Sequence, residues 1–204
     1  PNQYWWRWRD NEMTEAEVKD LLVKHGALLE GHFLLTSGLH SGQYVEKFQV
    51  LQYPKATEEL CAGFADMFRE EKIDVVIGPV TGGIVLAHET AKHFGTRAIF
   101  AERDNGQMTI KRGFEIKPGE RVLVVEDVVT TGGSVQEVID VVRGMGGIMA
   151  GVAILVDRSG GTVDFGAPSK ALLTLQIKNY TPDEWPLGKQ GVPLVKRGSR
   201  KLPA

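Results

Sequence analysis

Apolar residues fall along this chain in two alternating patterns. Short, mostly apolar runs at Ile73–Ile77, Val122–Val125 and Val152–Val156 read as strands covered on both faces, and Arg97–Ala101 and Leu172–Ile177 extend the set. Between them, apolar residues recur every three or four positions. Leu60, Phe64, Met67 and Phe68 do so within 57–71, and Val135, Val138, Ile139 and Val142 do so further on. Those spacings, with a third over 84–94, predict helices with one apolar face. Upstream, Thr14-Glu15-Ala16-Glu17 is a capping box opening a helix whose face is Val18, Leu21 and Leu22. The stretch 32–47 reads as a strand, a turn and a strand. Repeated strand–helix–strand units predict an α/β fold around a central, mainly parallel sheet flanked by helices. Ligands of such sheets bind beyond the carboxyl ends of the strands. The loops after Ile77, Ala101, Val125 and Val156 are therefore the ones to inspect.

Composition narrows the field. The 204 residues carry 24 Lys and Arg against 26 Asp and Glu, a net charge of −2, so no bulk attraction to nucleic acid or anionic membrane is expected. No apolar run reaches the roughly 20 residues of a membrane span. The single cysteine, Cys61, excludes an intrachain disulfide and fits a small core thiol beside Leu60 and Phe64, and a reducing cytoplasm is the simplest compartment. Residues 1–12 (PNQYWWRWRDNE) differ from the rest and read as an extension ahead of one domain over 13–204; a membrane-surface or base-stacking segment is the alternative. Glycine is the outlier: 24 of 204 residues is about 12%, against a usual share of roughly 7%.

Glycines concentrate where chemistry is expected. Val122–Val125 runs into Glu126 and Asp127, and three residues later Thr130-Thr131-Gly132-Gly133-Ser134 opens a helix. Backbone N–H groups freed by glycine, three hydroxyls and a helix N-terminus together make a phosphate cradle. The lysine and spacing of a P-loop are missing. Two carboxylates beside a phosphate site need other partners, and sugar hydroxyls or a Mg²⁺ shell fit that need. A phosphorylated sugar is the expected ligand; a plain capped turn with solvated acids is the alternative.

Val122–Val135 resembles the phosphoribosyl-pyrophosphate (PRPP) signature of the type I phosphoribosyltransferases. Leu35–Ser41, Gly78–Ile84, Val156-Asp157-Arg158 and Gly191–Lys196 are similar, in the same order, to segments of the orotate phosphoribosyltransferases within that family. The resemblance spans about Met13 to Arg200. It implies the type I phosphoribosyltransferase fold with a small hood built from N-terminal and C-terminal segments. It also implies transfer of the 5-phosphoribosyl group of PRPP to orotate with Mg²⁺, giving orotidine 5′-phosphate and pyrophosphate in de novo pyrimidine synthesis. By matching positions, Glu126 and Asp127 would hold the ribose hydroxyls, and Thr130, Thr131, Gly132, Gly133 and Ser134 the 5′-phosphate, with Thr130 also near orotate. Thr81, Gly82 and Gly83 would meet the pyrophosphate. Arg158 would grip the orotate carboxylate with a two-pronged donor, a surface ion pair being its alternative role. A homodimer that shares a loop between sites is also implied, with Mg²⁺ arriving mainly on PRPP rather than on protein ligands.

The match has gaps. The loop after Ala101, which closes over pyrophosphate in this family, keeps Arg103 but has Asp104 next and no histidine; Lys111 and Arg112 could supply cations from its far end or be an exposed basic strand end. Thr81-Gly82-Gly83 lacks the lysine often found there, and Thr36 stands where lysine is common, a loss for which Lys47, nearby in sequence, could compensate. Trp185–Gly188 stands where some relatives carry a Cys-x-x-Cys pair. Asp127 could act as a base, although an orotate ring nitrogen can lose its proton before attack. Two rival functions follow: a phosphoribosyltransferase for another base, such as a purine, or a non-enzymatic PRPP-sensing regulator.

Overall fold

A computed structural model of the chain describes residues 12–35, 37–185 and 193–196. The Trp/Arg-rich leader through residue 11, Thr36, residues 186–188 and Gly191-Val192 lie outside the described residues. In chain order the elements are α1 (Glu15–Lys24), β1 (Leu28–Leu34), β2 (His40–Val45), α2 (Phe48–Leu51), α3 (Pro54–Met67), β3 (Val75–Pro79), α4 (Gly82–Phe94), β4 (Arg97–Asp104), β5 (Gln107–Thr109), β6 (Arg121–Val129), α5 (Gly133–Gly144), β7 (Ile148–Asp157), β8 (Ser169–Thr174), β9 (Asn179–Tyr180) and β10 (Leu194–Lys196).

Six strands form the main sheet in the order β5-β4-β3-β6-β7-β8, every neighbouring pair parallel except the β4–β5 hairpin. The continuous apolar character of β6 has a direct cause. Leu123 and Val125 join the core shared with α1, α3 and α4, while Val122 and Val124 join the opposite core under α5. A strand buried on both faces cannot alternate apolar with polar residues. The capping box opens α1 as expected: the Thr14 backbone N–H donates to Glu17 Oε2 at 2.8 Å, and the Glu17 N–H donates to Thr14 Oγ1 at 3.3 Å. Cys61 is fully buried and its Sγ faces the Leu86 carbonyl oxygen at 3.7 Å.

A second sheet, β10-β1-β2-β9, joins N-terminal and C-terminal segments and forms the hood. His32 Nε2 and His40 Nδ1 lie 2.6 Å apart inside it, and the His32 ring stacks on Trp185 with centroids 4.3 Å apart. Both histidines are buried.

β3, β7 and β8 are shifted or lengthened by a few residues against the sequence expectation, and two further strand ends bear on the site. β6 continues through Glu126 and Asp127 to Val129, so the acids are strand residues rather than a strand terminus. β4 runs on to Asp104 and turns back through Asn105 and Gly106, at φ 49° and 85°, into β5. Positive φ at both central residues suits the two-residue hairpin turn that Asn-Gly favours.

Candidate active site

The carboxyl edge of the main sheet gathers most of the residues singled out by sequence. β3 delivers the loop before α4, β6 delivers both acids and the loop before α5, and β7 delivers Arg158. Register places the last two side by side: Val129 pairs with Asp157, and the Arg158 N–H donates to the Val129 carbonyl at 2.8 Å.

At the β6–α5 turn, Gly132 is the helix N-cap with φ 78° and no side chain caps the helix. A β-carbon there would sit 2.6 Å from Val163 Cγ1 and 2.8 Å from Phe165 Cε1, so only glycine fits both the φ and the space. The first helical bond is donated by Gln136 N–H to the Gly132 carbonyl, which leaves the preceding N–H groups of the turn aimed outward. Thr130, Thr131, Gly133 and Ser134 are exposed there, around a cavity of about 70 Å³ bounded by Glu126 and residues 128–135. Orphan N–H groups, hydroxyls and the positive end of a helix dipole are features that suit an anion.

The acids beside it are almost sealed, with Glu126 7% and Asp127 3% exposed. The Asp127 N–H donates to Glu126 Oε1 at 3.0 Å, and Lys47 Nζ donates to Asp127 Oδ1 at 2.9 Å. Burial, and next the charge of Asp127, push the Glu126 carboxyl up to about 8. Burial also raises Asp127, against the opposing pull of Lys47. Of the two, Glu126 is the one that burial and its neighbour's charge favour in the neutral form, while Lys47 favours the ionised form of Asp127. A neutral acid can donate and a carboxylate can only accept, so the two side chains differ in the hydrogen bonds they can make.

The β3–α4 loop closes the floor. Thr81 is the N-cap of α4, again with no side-chain cap, and Gly82 presses on the acids: a β-carbon on Gly82 would lie 2.0 Å from Asp127 Oδ2. Gly83 packs as tightly against β3, where its β-carbon would meet the Gly78 backbone at 2.7 Å. Small residues here bring a second helix N-terminus against the acid pair.

Arg158 is half-buried, and its Nε has no partner among the described residues. Burial pulls its guanidinium below the usual value. It opens onto a cleft bounded by Ser159, Thr162, Gln176 and Lys178. Asp157 holds the following turn, accepting from the Ser159 and Gly161 N–H groups at 2.7 and 3.0 Å.

The loop cations stand apart from this cluster, each on an acid. Arg103 reaches Glu137 of α5 through two contacts of 2.8 and 3.0 Å, Lys111 meets Asp104 at 2.5 Å, and Arg112 clasps Glu102 at 2.8 and 3.0 Å. All three are exposed. The sequence raised Lys47 only as a cation that could compensate for the one missing at Thr36. Its 80-residue separation from Asp127 left no local signal of their contact.

A parallel sheet with an uncapped, glycine-opened helix start and a buried acid pair at its carboxyl ends is the arrangement that suits a phosphorylated-sugar ligand. A phosphoribosyl transferase domain model matches residues 49–195. The chain is 54% identical over 190 residues to an orotate phosphoribosyltransferase of Pelotomaculum thermopropionicum, covering 93% of this chain and 100% of the relative. It is 50% identical, at the same coverage, to one of Desulforamulus reducens. Among solved structures, orotate phosphoribosyltransferase from Aeropyrum pernix superposes with a TM-score of 0.66 at 27% identity, over 78% of this chain and 94% of that one. The chain belongs to the phosphoribosyltransferases and, within them, to the orotate phosphoribosyltransferase family.

Proposed function

We propose that this protein transfers the 5-phosphoribosyl group from PRPP to orotate, releasing pyrophosphate and forming orotidine 5′-phosphate. The observation that carries the reading is the uncapped, glycine-opened start of α5 beside two buried acids on one strand. That pairing suits a sugar bearing both a phosphate and free hydroxyls.

The cradle at 130–134 takes the 5′-phosphate, and Glu126 and Asp127 take the ribose hydroxyls. The deprotonated ring nitrogen of orotate supplies the electron pair for the new C–N bond. The bond from the anomeric carbon to pyrophosphate breaks, and its electrons leave with the pyrophosphate. The ribose gains positive character on the way, and the ionised acid nearby favours it. Arg158 offers a partnerless, partly desolvated N–H and takes the orotate carboxylate. The N-terminus of α4 at Thr81-Gly82-Gly83 faces the pyrophosphate. Arg103, Lys111 and Arg112 give it countercharge by leaving their acids, an inexpensive exchange because exposed ion pairs are worth about 0–1 kcal/mol. Catalysis is then mostly orientation and charge placement.

Mg²⁺ fits this reading as a partner of PRPP. The acids at 126 and 127, tied to one another and to Lys47, do not form a full ligand set, and the metal would neutralise the pyrophosphate as it departs. A homodimer in the cytoplasm completes the proposal. Val80 and Val85 beside the site are 42% and 41% exposed, apolar area that a second copy would cover, and the lone cysteine suits a reducing compartment. No helix among the described residues is long and apolar enough to cross a membrane.

The test is pyrophosphate release from PRPP and Mg²⁺ with orotate, uracil, hypoxanthine, xanthine or adenine. Turnover with orotate alone is expected. Turnover with another base but not orotate would move the protein to a different specificity. PRPP binding with no release for any base would make it a sensor.

A further inference from the structure

The acid pair poses an electrostatic problem that the loop cations do not solve. Glu126 and Asp127 lie almost fully buried, directly beneath a site that is to receive a polyanion. Arg103, Lys111 and Arg112 all stand on acids of their own. Lys47 reaches the pair from outside the main sheet. It follows hood strand β2 and caps α2, and its ammonium lies 2.9 Å from Asp127 Oδ1. The other oxygen, Oδ2, is held against Gly82, so Lys47 and the start of α4 clamp the carboxylate from two sides. The Lys47 side chain is 34% exposed, against 5% for that of Asp127, so it forms the solvent-facing edge of the pair.

The geometry points to Lys47 as the residue that fits this acid pair to PRPP: a positioning residue that acts through Asp127, holding its carboxylate in place and balancing its charge while the pyrophosphate end arrives. The inference rests on the cradle being a PRPP site. An unbalanced carboxylate at this depth would repel the incoming phosphates and turn away from the ribose hydroxyls. Lys47 also ties the ribose end of the site to the hood, since the ammonium comes from the segment that follows hood strand β2 and the carboxylate from β6 of the main sheet.

The experiment compares Lys47→Met, Lys47→Arg, Asp127→Asn and the Lys47→Met/Asp127→Asn double variant in the full chain. Orotidine 5′-phosphate formation gives both Michaelis constants, calorimetry gives PRPP binding without orotate, and thermal unfolding reports integrity. Lys47→Met should raise KM for PRPP on the order of 10- to 100-fold, as removing one partner of a desolvated charge pair does. KM for orotate should stay within about twofold, Lys47→Arg should recover most of the loss, and the double variant should bind PRPP no worse than Asp127→Asn. Unchanged PRPP affinity in folded Lys47→Met, equal losses for both substrates, or multiplying losses in the double variant would overturn the inference. Should Lys47→Met not fold, Lys47→Gln takes its place alone and with Asp127→Asn: a PRPP loss that vanishes in the Asp127→Asn background supports action through Asp127, and an unchanged affinity or a loss that persists there rejects it. Absence of orotate turnover in the unaltered protein would refute the functional reading instead, and PRPP calorimetry would still judge Lys47.

Discussion

Gly82→Ala isolates the closest approach in the site. The added β-carbon would fall 2.0 Å from Asp127 Oδ2 and 3.0 Å from its Cγ, where ordinary contact begins at 3.4 Å. The carboxylate or the helix must therefore yield by about 1.4 Å (3.4 − 2.0). The helix has nowhere to go on the side of β3, because Gly83 already lies against the Gly78 backbone there. The carboxylate must move, and a shift of that size opens the 2.9 Å contact with Lys47. Overpacking costs about 1–3 kcal/mol, and loosening a partly exposed ion pair adds less than a fully buried one would. The sum is a loss of about 2–4 kcal/mol in urea unfolding. Misplacing a group at the reacting centre by more than 1 Å should lower kcat/KM for PRPP by roughly 100-fold. Gly144→Ala, at the far end of α5 with nothing within 4 Å of its added carbon, is the control. It should gain about 0.5–1 kcal/mol from helix propensity and keep full activity. A Gly82→Ala protein within 0.5 kcal/mol (about the scatter of a neutral surface change) and with normal PRPP kinetics would refute the packing described.

Arg158→Ala should raise KM for orotate by roughly 10- to 100-fold and leave KM for PRPP nearly unchanged; unaltered orotate kinetics would reject its role. Glu126, ordinarily near 4.5 and raised to about 8 in the fold, keeps its proton there while the unfolded chain loses it, so its contribution is complete below pH 4.5 and declines up to about pH 8. Glu126→Gln should flatten that stretch of the Tm-against-pH curve, and an identical slope in both proteins would disprove the shift. Burial pushes the Cys61 thiol up to about 12, so thiol reagents should label it only as fast as the protein opens; rapid labelling of the native state would contradict its burial.

Much of this site was legible in the sequence because its parts are local. The 122–135 stretch carries strand, acids, cradle and helix start within fourteen consecutive residues, and chain order alone sets them next to one another. The acids misled only about where the strand ends. Two charges read as a terminus, yet β6 runs on to Val129, because Lys47 and the pair's own hydrogen bond make burial tolerable. The hairpin at Asn105-Gly106 carried a local signal too, in a dipeptide suited to two positive φ values. The histidine pair did not. His32 and His40 meet only because β1 and β2 pair in one register, with Leu34 opposite His40 and a bulge between Glu30 and Phe33, and nothing in their own neighbourhoods specifies that register.

What stays hidden from sequence is the assignment of each cation to an acid. Arg103, Lys111 and Arg112 look alike along the chain as basic residues of one loop, and the structure sends each to a different carboxylate. Of the three, Arg103 alone pairs with an acid of α5, adding an ion pair to the apolar packing of Met108 against the cluster that holds Val135, Val138, Ile139 and Val142. Lys47 differs in degree, because the Asp127 side chain is 5% exposed, while those of Glu102, Glu137 and Asp104 are 20%, 41% and 46% exposed. Exposed pairs exchange cheaply and suit a pyrophosphate that must arrive and leave, whereas a pair with one buried member resists exchange and suits a fixed part of the floor. A chain of nearly zero net charge can therefore receive a polyanion by dividing its cations between lendable and permanent roles, with two uncapped helix starts supplying the rest.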